Sequence, residues 1–405
     1  MVTISSDMHI SRRHIGRFLR LSPLCALTVA ACGTEPAKTP DSLAAADSRD
    51  SFAAAKAALA AQPGPPVRTF VARDASPPNL SATPSDLLPA DVSGVGSDLN
   101  PKNSPAENFN LKPWKLTLPE ADTRSGKKNK VLEVQETQVN TPGFIYKPWF
   151  FTSPSNGGLV FKTPNHAPTT KGSSNTRSEL REMIRAGNKK IKTHSPKNNF
   201  VLAAHPKAKK FASIGGKLAS TLKVDWVSTS GNDAKYAAHS VVVGQIHGSG
   251  KMEPVKIFYR KLPGHDKGSL FWNYELSPEN QDDRQDVPHN VWGDYNLRAS
   301  DPSPADGIAL EERFSYVIDV TGDILTVSFK KSDGTVVAHS RDIAAPYTGY
   351  ELDLGYGRDW MYFKAGAYNQ CNLGTKGNWG TACSNDGIEA GDYAQVTFFQ
   401  IDVSH

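Results

Sequence analysis

Residues 177–183 read RSELREM, and the conformation of this stretch decides between two different folds. As a helix, its apolar residues would form one stripe at helical spacing, and its charged residues would form an ordinary solvated surface. As a strand, it would direct Arg177, Glu179 and Arg181 to one face, because side chains alternate along an extended chain. The stretch fits both patterns, so the sequence around it has to decide.

From about residue 106, short apolar runs recur between Gly, Pro, Asn and Asp, as is typical of β-strands separated by turns. The runs are WKLTLP (114–119), GGLVFKTP (157–164), SVVVGQIHG (240–248), PVKIFYRKL (254–262), SYVIDV (315–320) and YAQVTFFQIDV (393–403). In ILTVSFKKSDGTVVAHS (324–340), Asp333-Gly334 between two β-rich arms predicts a hairpin. Outside RSELREM no long amphipathic helix competes with these runs. We therefore predict one all-β domain, a sandwich or jelly roll.

A polar stretch from residue 277 to 306, which contains QDDRQDVP, interrupts the apolar runs. It predicts a long loop, because no apolar alternation crosses it. Loops of this length are uncommon in compact domains and often cover a site. The sequence leaves open whether this one is a lid or a tolerated surface insertion.

The first 32 residues form an export signal. A basic region precedes LSPLCALTVAA (21–31), an apolar run that is too short to span a bilayer. The run ends in VAAC, which resembles the bacterial lipobox, so we expect Cys32 to carry a lipid at the mature N-terminus. Gly33 is not the acidic residue associated with inner-membrane retention, so we expect an outer-membrane lipoprotein at the periplasm or cell surface. The alternative is ordinary signal cleavage, with Cys32 incidental.

Residues 33–105 are rich in Ala, Pro, Ser, Asp and Thr and contain few large apolar residues. Clusters such as PGPP (63–66) break any regular element. We predict a flexible linker over this segment, followed by a single folded domain over residues 106–405.

Two cysteines, Cys371 and Cys383, lie in the predicted domain. They are twelve positions apart in a Gly/Asn-rich stretch, and the export signal places them in an oxidising compartment, which predicts a disulfide. The alternative is a pair of free thiols. We expect no metal site, because neither CxxC spacing nor a nearby histidine pair accompanies them.

Composition restricts the classes of function. Of 405 residues, 38% are hydrophobic and 21% charged, which excludes global disorder. The net charge of +5 is compatible with an anionic ligand but too small to indicate nucleic acid, and no aromatic-basic pattern of RNA-binding modules appears. No HExxH, P-loop, GxGxxG or EF-hand motif occurs, so we expect no cofactor. We expect membrane contact only through the lipid anchor, and a monomer.

Three of the predicted strands carry polar side chains at a spacing of two. Alternation places the following residues on one face of their strands: Arg177, Glu179, Arg181, Val243, Gln245, His247, Tyr362, Lys364, Gly366, Tyr368 and Gln370. Each strand alone is typical of an ordinary surface. If the three strands are neighbours, they form one cationic, hydrogen-bonding surface, and this shared pattern favours the strand interpretation of RSELREM.

Taken together, RSELR, QIH and YFKAGAYNQ (362–370) resemble the three signature motifs of the alginate lyases of polysaccharide lyase family seven. NLKPWKLTLP (110–119) and PVKIFYRKLPG (254–264) resemble further strands of that family. The resemblance covers residues 106–405, and Ala367 replaces a valine that is common in the family. It implies a catalytic jelly-roll β-sandwich with a concave groove for the anionic polysaccharide alginate.

The resemblance also implies a reaction, β-elimination at a 4-linked uronate that leaves an unsaturated 4-deoxy uronate at the new non-reducing end. The enzyme must neutralise the carboxylate, remove the C5 proton and protonate the leaving oxygen. Arg177 suits the carboxylate because its guanidinium is a planar fork, and Gln245 adds a neutral donor. Arg181 either contacts the substrate or supports Arg177, and Glu179 holds the arginines in place rather than acting as a base.

His247 and Tyr368 are the residues that the resemblance assigns to proton transfer. Tyr368 protonates the leaving oxygen, and either His247 or Tyr368 accepts the C5 proton, depending on the face of the sugar that carries it. Further substrate-binding positions are Tyr362, Lys364, Asn369 and Gln370. In a regular strand Asn369 points to the back face, so a bulge or the strand end would have to turn it. The QIH form, with Ile246, is associated with guluronate-containing blocks.

Two other functions remain compatible with these residues. The same carboxylate grip and proton donors would serve a lyase for another polyuronate, such as a glucuronan. A non-catalytic carbohydrate-binding jelly roll would be expected to lack His247 or Tyr368, and both are present.

Overall fold

A computed structural model of the chain describes residues 87–124, 130–377, 379–384 and 387–405. Two sheets face each other, and nearly all of their strand pairs are antiparallel. In spatial order the first sheet contains β12 (Asp286–Trp292), β11 (Lys267–Glu275), β10 (Val255–Arg260), β9 (Ser240–His247), β17 (Trp360–Asn369), β5 (Arg177–Glu182), β1 (Trp114–Ala121) and β2 (Val131–Val134). The short strands β6 (Phe200–Val201), β7 (Ser213–Ile214) and β13 (Ile308–Ala309) extend its margins.

The second sheet contains, in spatial order, β16 (Val336–Asp342), β15 (Ile324–Lys331), β14 (Arg313–Thr321), β8 (Gly216–Trp226), β18 (Tyr393–Ser404), β4 (Leu159–Pro164) and β3 (Phe150–Thr152). Helical structure in the described residues is limited to single turns. These are α1 (Pro105–Asn108), α2 (Glu136–Val139) and the 3-10 turns Pro196–Asn198, Ala208–Lys210, Gln281–Asp283 and Ile388–Ala390. The fold is an all-β jelly-roll sandwich, as predicted.

The core lies between the two sheets, where the apolar face of each strand is buried. Tyr316 of β14 reaches across it, and its hydroxyl donates to the carbonyl of Val243 in β9 at 3.0 Å. This approach requires glycine at position 244, because a Cβ there would lie 2.5 Å from the Tyr316 oxygen. The contact ties the sheet that carries the polar motifs to the sheet behind it.

RSELREM is a strand over Arg177–Glu182, which confirms the strand interpretation. It pairs with β1 on one side and β17 on the other, so its backbone groups are satisfied by two neighbours rather than by a helix. Leu180 is fully buried in the core, and all six residues of the strand are buried. Pairing on both sides outweighs the helical stripe that the same residues could form.

A register irregularity in β9 corrects one prediction about side-chain direction. Ile257 of β10 pairs with Gly244, and the next pair is Phe258 with Val242, so Val243 is an extra residue in β9. Val243 therefore packs in the sandwich core, whereas Val242 packs beside Tyr368. The prediction that Val243 shares a face with Gln245 was wrong, because a bulge breaks strict alternation.

The predicted loop at 277–306 contains an edge strand. Its residues 286–292 form β12, which pairs with β11. Pro288 removes one backbone donor, which an edge strand tolerates because one side of it is unpaired. The expectation of a continuous loop was wrong here, since the polar residues of an edge strand hide its alternation.

Part of the predicted linker is packed against the second sheet. Leu88 and Val92 are buried, at 7% and 1% exposure. Arg313 Nη1 donates to the carbonyl of Ser93 at 2.6 Å, and Lys330 Nζ donates to that of Pro89 at 2.9 Å. Packed structure therefore begins before the predicted domain start at residue 106. The predicted signal peptide, Cys32 and the linker up to residue 86 lie outside the described residues.

Two local predictions concern turns and cross-links. The hairpin at Asp333-Gly334 joins β15 to β16, and Gly334 has a φ of 87°, which favours glycine. Cys371 and Cys383 form a disulfide with their Cα atoms 5.6 Å apart. In the part of the chain that the structure describes, no helix is long and apolar enough to cross a membrane.

Candidate active site

The three motifs lie on adjacent strands of the first sheet, with β17 between β9 and β5. Tyr368 pairs with Arg177 across β17 and β5, and Lys364 pairs with both Arg181 and Gln245. The strands approach closely at Gly366, where a Cβ would lie 2.6 Å from the carbonyl oxygen of Ser178. The polar residues predicted from three separate segments therefore share one surface, which we call the catalytic face.

Glu179 connects the central residues of this face. It is 2% exposed, and its carboxylate accepts a hydrogen bond from Arg177 Nη1 at 3.1 Å. The same carboxylate pairs with Lys364 Nζ and accepts a hydrogen bond from Gln245 Nε2. Three donors offset the cost of burying this carboxylate. Glu179 thus fixes the positions of Arg177, Lys364 and Gln245.

Arg181 has a different environment from Arg177. Its guanidinium lies 3.7 Å from the ring centre of Tyr362 and donates to the backbone carbonyl of Glu182 at 2.6 Å and to Asn199 Oδ1 at 3.1 Å. No direct hydrogen bond from Arg181 to Glu179 occurs among the described contacts. The prediction that Glu179 holds both arginines was wrong, because Arg181 is held instead by the Tyr362 ring, a backbone carbonyl and the Asn199 side chain.

Tyr368 lies under the guanidinium of Arg177, whose central carbon is 3.8 Å from the ring centre. Its hydroxyl is 3.1 Å from Ser173 Oγ, which also accepts a hydrogen bond from Arg177 Nη2 at 3.0 Å. Burial raises the pKa of Tyr368, and the Arg177 charge opposes this without reversing it. The phenol therefore keeps its proton at neutral pH, as a general acid requires. Ser173 was not predicted, because a serine in a polar loop carries no distinguishing signal.

The imidazole of His247 is uncharged at neutral pH. Its Nδ1 lies 2.8 Å from the carbonyl oxygen of Gly248, so Nδ1 carries the proton and Nε2 has a free lone pair. Burial lowers the pKa of His247 to about 4, and the charges of Lys364 and Arg177 act in the same direction. The ring stacks on Tyr362 with centres 5.1 Å apart. A neutral imidazole with a free Nε2 can accept a proton.

Lys364 lies on β17, between Gln245 of β9 and Arg181 of β5. Burial and the nearby Arg177 lower its pKa to about 8, whereas its ion pair with Glu179 opposes this shift. Its ammonium group is 5.7 Å from the Tyr368 ring centre. Lys364 therefore adds positive charge to the catalytic face.

A group of three carboxylates around Lys256 was not predicted, and one of them, Glu253, lies beside His247. Lys256 Nζ lies within 3.4 Å of three carboxylates, those of Glu253, Glu275 and Asp286. Burial disfavours charged Lys256, but these carboxylates outweigh burial and raise its pKa. The sequence motifs do not include these carboxylates, because Glu253 lies in a loop and the other two lie on strands outside the motifs.

Asn369 and Gln370 do not join the open part of the face. They are 0% and 2% exposed. Asn369 Oδ1 accepts from Ser228 Oγ at 3.2 Å, and Gln370 Oε1 accepts from Asn175 Nδ2 at 3.1 Å. The side-chain amide of Gln370 also donates to the carbonyl of Tyr368 at 3.1 Å. Both side chains are therefore enclosed at the end of β17, where Asn369 Nδ2 has no hydrogen-bond partner among the described residues.

The assembled face has a defined chemical capacity. It contains buried cations to neutralise a carboxylate, a neutral imidazole and a protonated phenol. No group of His, Cys, Asp and Glu suited to a metal ion occurs among the described residues. A jelly-roll sandwich with such a face is typical of enzymes that act on acidic polysaccharides.

Comparisons with known proteins give the same class. Residues 109–405 match the family model described as alginate lyase. A curated alginate lyase from Klebsiella pneumoniae is 34% identical over 315 residues, which cover 75% of this chain and 91% of that protein. The chain belongs to the alginate lyases of polysaccharide lyase family seven, and it is a polysaccharide lyase.

Solved structures agree with this assignment. The crystal structure of an alginate lyase from Klebsiella pneumoniae superposes with a TM-score of 0.62 at 32% identity, covering 75% of this chain and 98% of that one. An exolytic family-seven alginate lyase from Zobellia galactanivorans gives a TM-score of 0.59 at 30% identity, with the same coverage of 75% and 98%.

Proposed function

We propose that this enzyme cleaves alginate by β-elimination at a 4-linked uronate, with a preference for guluronate-containing blocks. The observation that carries the proposal is the convergence of Arg177, Gln245, His247 and Tyr368 on three adjacent strands. The guluronate preference is supported by the QIH motif, in which Ile246 lies between Gln245 and His247.

In this mechanism, Arg177 neutralises the carboxylate beside the scissile bond, and the neutral amide of Gln245, which donates to Glu179, supports the position of Arg177. Arg177 Nε is buried and has no hydrogen-bond partner among the described residues, although the two terminal nitrogens are paired. These two contacts hold the guanidinium in place, and its positive charge offsets the charge of a substrate carboxylate. Neutralising the carboxylate makes the C5 proton more acidic, because the developing negative charge then faces cations.

His247 Nε2 accepts the C5 proton, and Tyr368 gives its proton to the leaving oxygen. The electrons of the C5–H bond form the C4–C5 double bond while the C4–O bond breaks, so the cleavage needs no water or redox cofactor. The neutral state of His247 and the protonated state of Tyr368 match these roles without prior ionisation. Using Tyr368 as the base would first require its phenolate, which its raised pKa disfavours.

The test is spectroscopic. The purified protein is incubated with polyguluronate, polymannuronate and glucuronan, and ultraviolet absorbance of the new double bond is followed. The fastest increase is expected with polyguluronate. No increase on any of the three would refute the proposal, and an increase only with glucuronan would favour the other polyuronate lyase.

We also propose that Cys32 carries a lipid that anchors the protein to the outer membrane. The motif VAAC at residues 29–32 supports this anchor. In a bacterial host given a labelled lipid precursor, the wild type should be labelled and Cys32→Ser should not. Equal labelling of both proteins would refute the anchor.

A further inference from the structure

Residues 185–210, called here the basic segment, carry a concentrated positive charge outside the catalytic face. It contains no Asp or Glu, and its cations are Arg185, whose side chain is buried and paired with Glu136, and the lysines Lys189, Lys190, Lys192, Lys197, Lys207, Lys209 and Lys210. This charge exceeds the +5 of the entire chain, so the rest of the protein is net negative. Concentrating charge in this way costs repulsion, which an anionic ligand would relieve.

A row of aromatic rings connects the basic segment to the catalytic face. His247 stacks on Tyr362 with ring centres 5.1 Å apart, and Tyr362 stacks on Trp360 at 6.0 Å. Trp360 in turn lies 5.6 Å from His194, which belongs to the basic segment. Flat rings offer large contact areas at a small cost in conformational entropy. The row therefore provides a continuous track from the proton acceptor to the basic segment.

A cavity of about 400 Å³ is lined by residues close in sequence to both ends of the last ring contact, among them Pro196, two residues after His194. Its lining includes Lys207, Lys210 and Phe211 of the segment and its C-terminal edge, together with Arg358, two residues before Trp360. Lys207, Lys210 and Arg358 are exposed, and none of them forms an ion pair with another described residue. Unpaired cations around a concave surface are suited to carboxylates, because no internal partner has to be displaced.

We propose that this cavity and the basic segment bind uronate residues of the polysaccharide well beyond the cleaved bond. The inference rests on the proposed function, because continuity with the catalytic face identifies the bound polyanion as the substrate chain. Its role is to hold long chains, so short oligosaccharides gain nothing from it. Contacts of this kind are electrostatic and therefore weaken as salt screens them.

The test compares two double variants that remove the same charge. Lys207→Ala/Lys210→Ala removes two cations of the cavity, and Lys102→Ala/Lys112→Ala removes two exposed lysines elsewhere. With long polyuronate, the first variant should show a KM raised about 3- to 10-fold with kcat unchanged, as two exposed charge contacts would give. With a trisaccharide, both variants should match the wild type.

Equal effects of the two double variants, or no effect of the cavity variant on long polyuronate, would overturn the inference. Sedimentation with alginate measures binding without catalysis, so it separates this inference from the proposed function. If the wild type binds alginate through these lysines but produces no double bond, only the proposed function fails. A negatively charged membrane is the alternative ligand for these lysines, and vesicles of equal parts phosphatidylglycerol and phosphatidylcholine test it. Loss of vesicle binding in the cavity variant, with alginate binding intact, would also overturn the inference.

Discussion

Oε1 of Glu253 lies 3.8 Å from Nε2 of His247, the nitrogen that is free to accept a proton. The other carboxylate oxygen of Glu253 is held 3.1 Å from Lys256 Nζ. Burial favours the neutral carboxyl, but the charge of Lys256, with those of Lys364 and Arg177, outweighs burial and lowers the pKa of Glu253, so it is ionised at neutral pH. A carboxylate here opposes binding of a polyanion but stabilises a protonated imidazole. We therefore expect Glu253 to assist proton transfer to His247 and not to increase the affinity for substrate.

Glu253→Gln should lower kcat about 10-fold, because His247 becomes a weaker base. Glu253 raises the pKa of His247 against the effect of burial, so its removal lowers that pKa further below about 4. Because only neutral His247 is active, the acid limb of the pH–kcat profile should move to lower pH. Glu279→Gln, an exposed carboxylate, is the control. An acid limb that stays in place would show that Glu253 does not act on His247.

Tyr368→Phe should reduce kcat by about 10²- to 10⁴-fold while KM changes little, because only the proton donor is lost. The ring remains under Arg177, so binding groups keep their positions. Steady-state kinetics on alginate measure both constants. Tyr350→Phe removes a more exposed hydroxyl and should be neutral. Full activity of Tyr368→Phe would contradict the assignment of the acid.

Glu179→Gln should lower the free energy of unfolding by about 3–5 kcal/mol, because it leaves Arg177 and Lys364 buried without their shared anion. Denaturant unfolding of variant and wild type measures the difference. Glu133→Gln is the matched control, since Glu133 also pairs with a lysine of the sheet, Lys115, but its side chain is 43% exposed. That control should cost less than about 1 kcal/mol. Similar losses in both variants would refute the central role of Glu179.

Replacing both Cys371 and Cys383 by serine should cost about 2–4 kcal/mol, as expected for closing a loop of this length. Thermal unfolding with and without reductant provides the measurement. Reductant should lower the Tm of the wild type toward that of the double variant and leave the variant unchanged. If the Tm of the wild type is the same with and without reductant, even when the protein is unfolded in reductant first, the disulfide does not contribute to stability.

The sequence was most informative where alternation and turn residues were regular. RSELR, QIH and YFKAGAYNQ predicted three strands with polar faces, and those strands are neighbours. The sequence was least informative at edges and loops. Asp286 lies in an edge strand that was predicted as loop, and Ser173 reaches Tyr368 from a polar loop. Asp and Ser are common at exposed positions, so the residue type alone does not distinguish either position from an ordinary surface residue.

Sequence by itself therefore determined the fold class and the candidate side chains for the chemistry, because strand alternation and turn preference are local properties. Only the tertiary structure decided what those side chains contact. It placed Val243 in the core through a bulge, joined Glu179 to three donors and brought Glu253 next to His247. These relationships depend on pairing between distant strands and on burial, and neither is encoded at a fixed spacing along the chain.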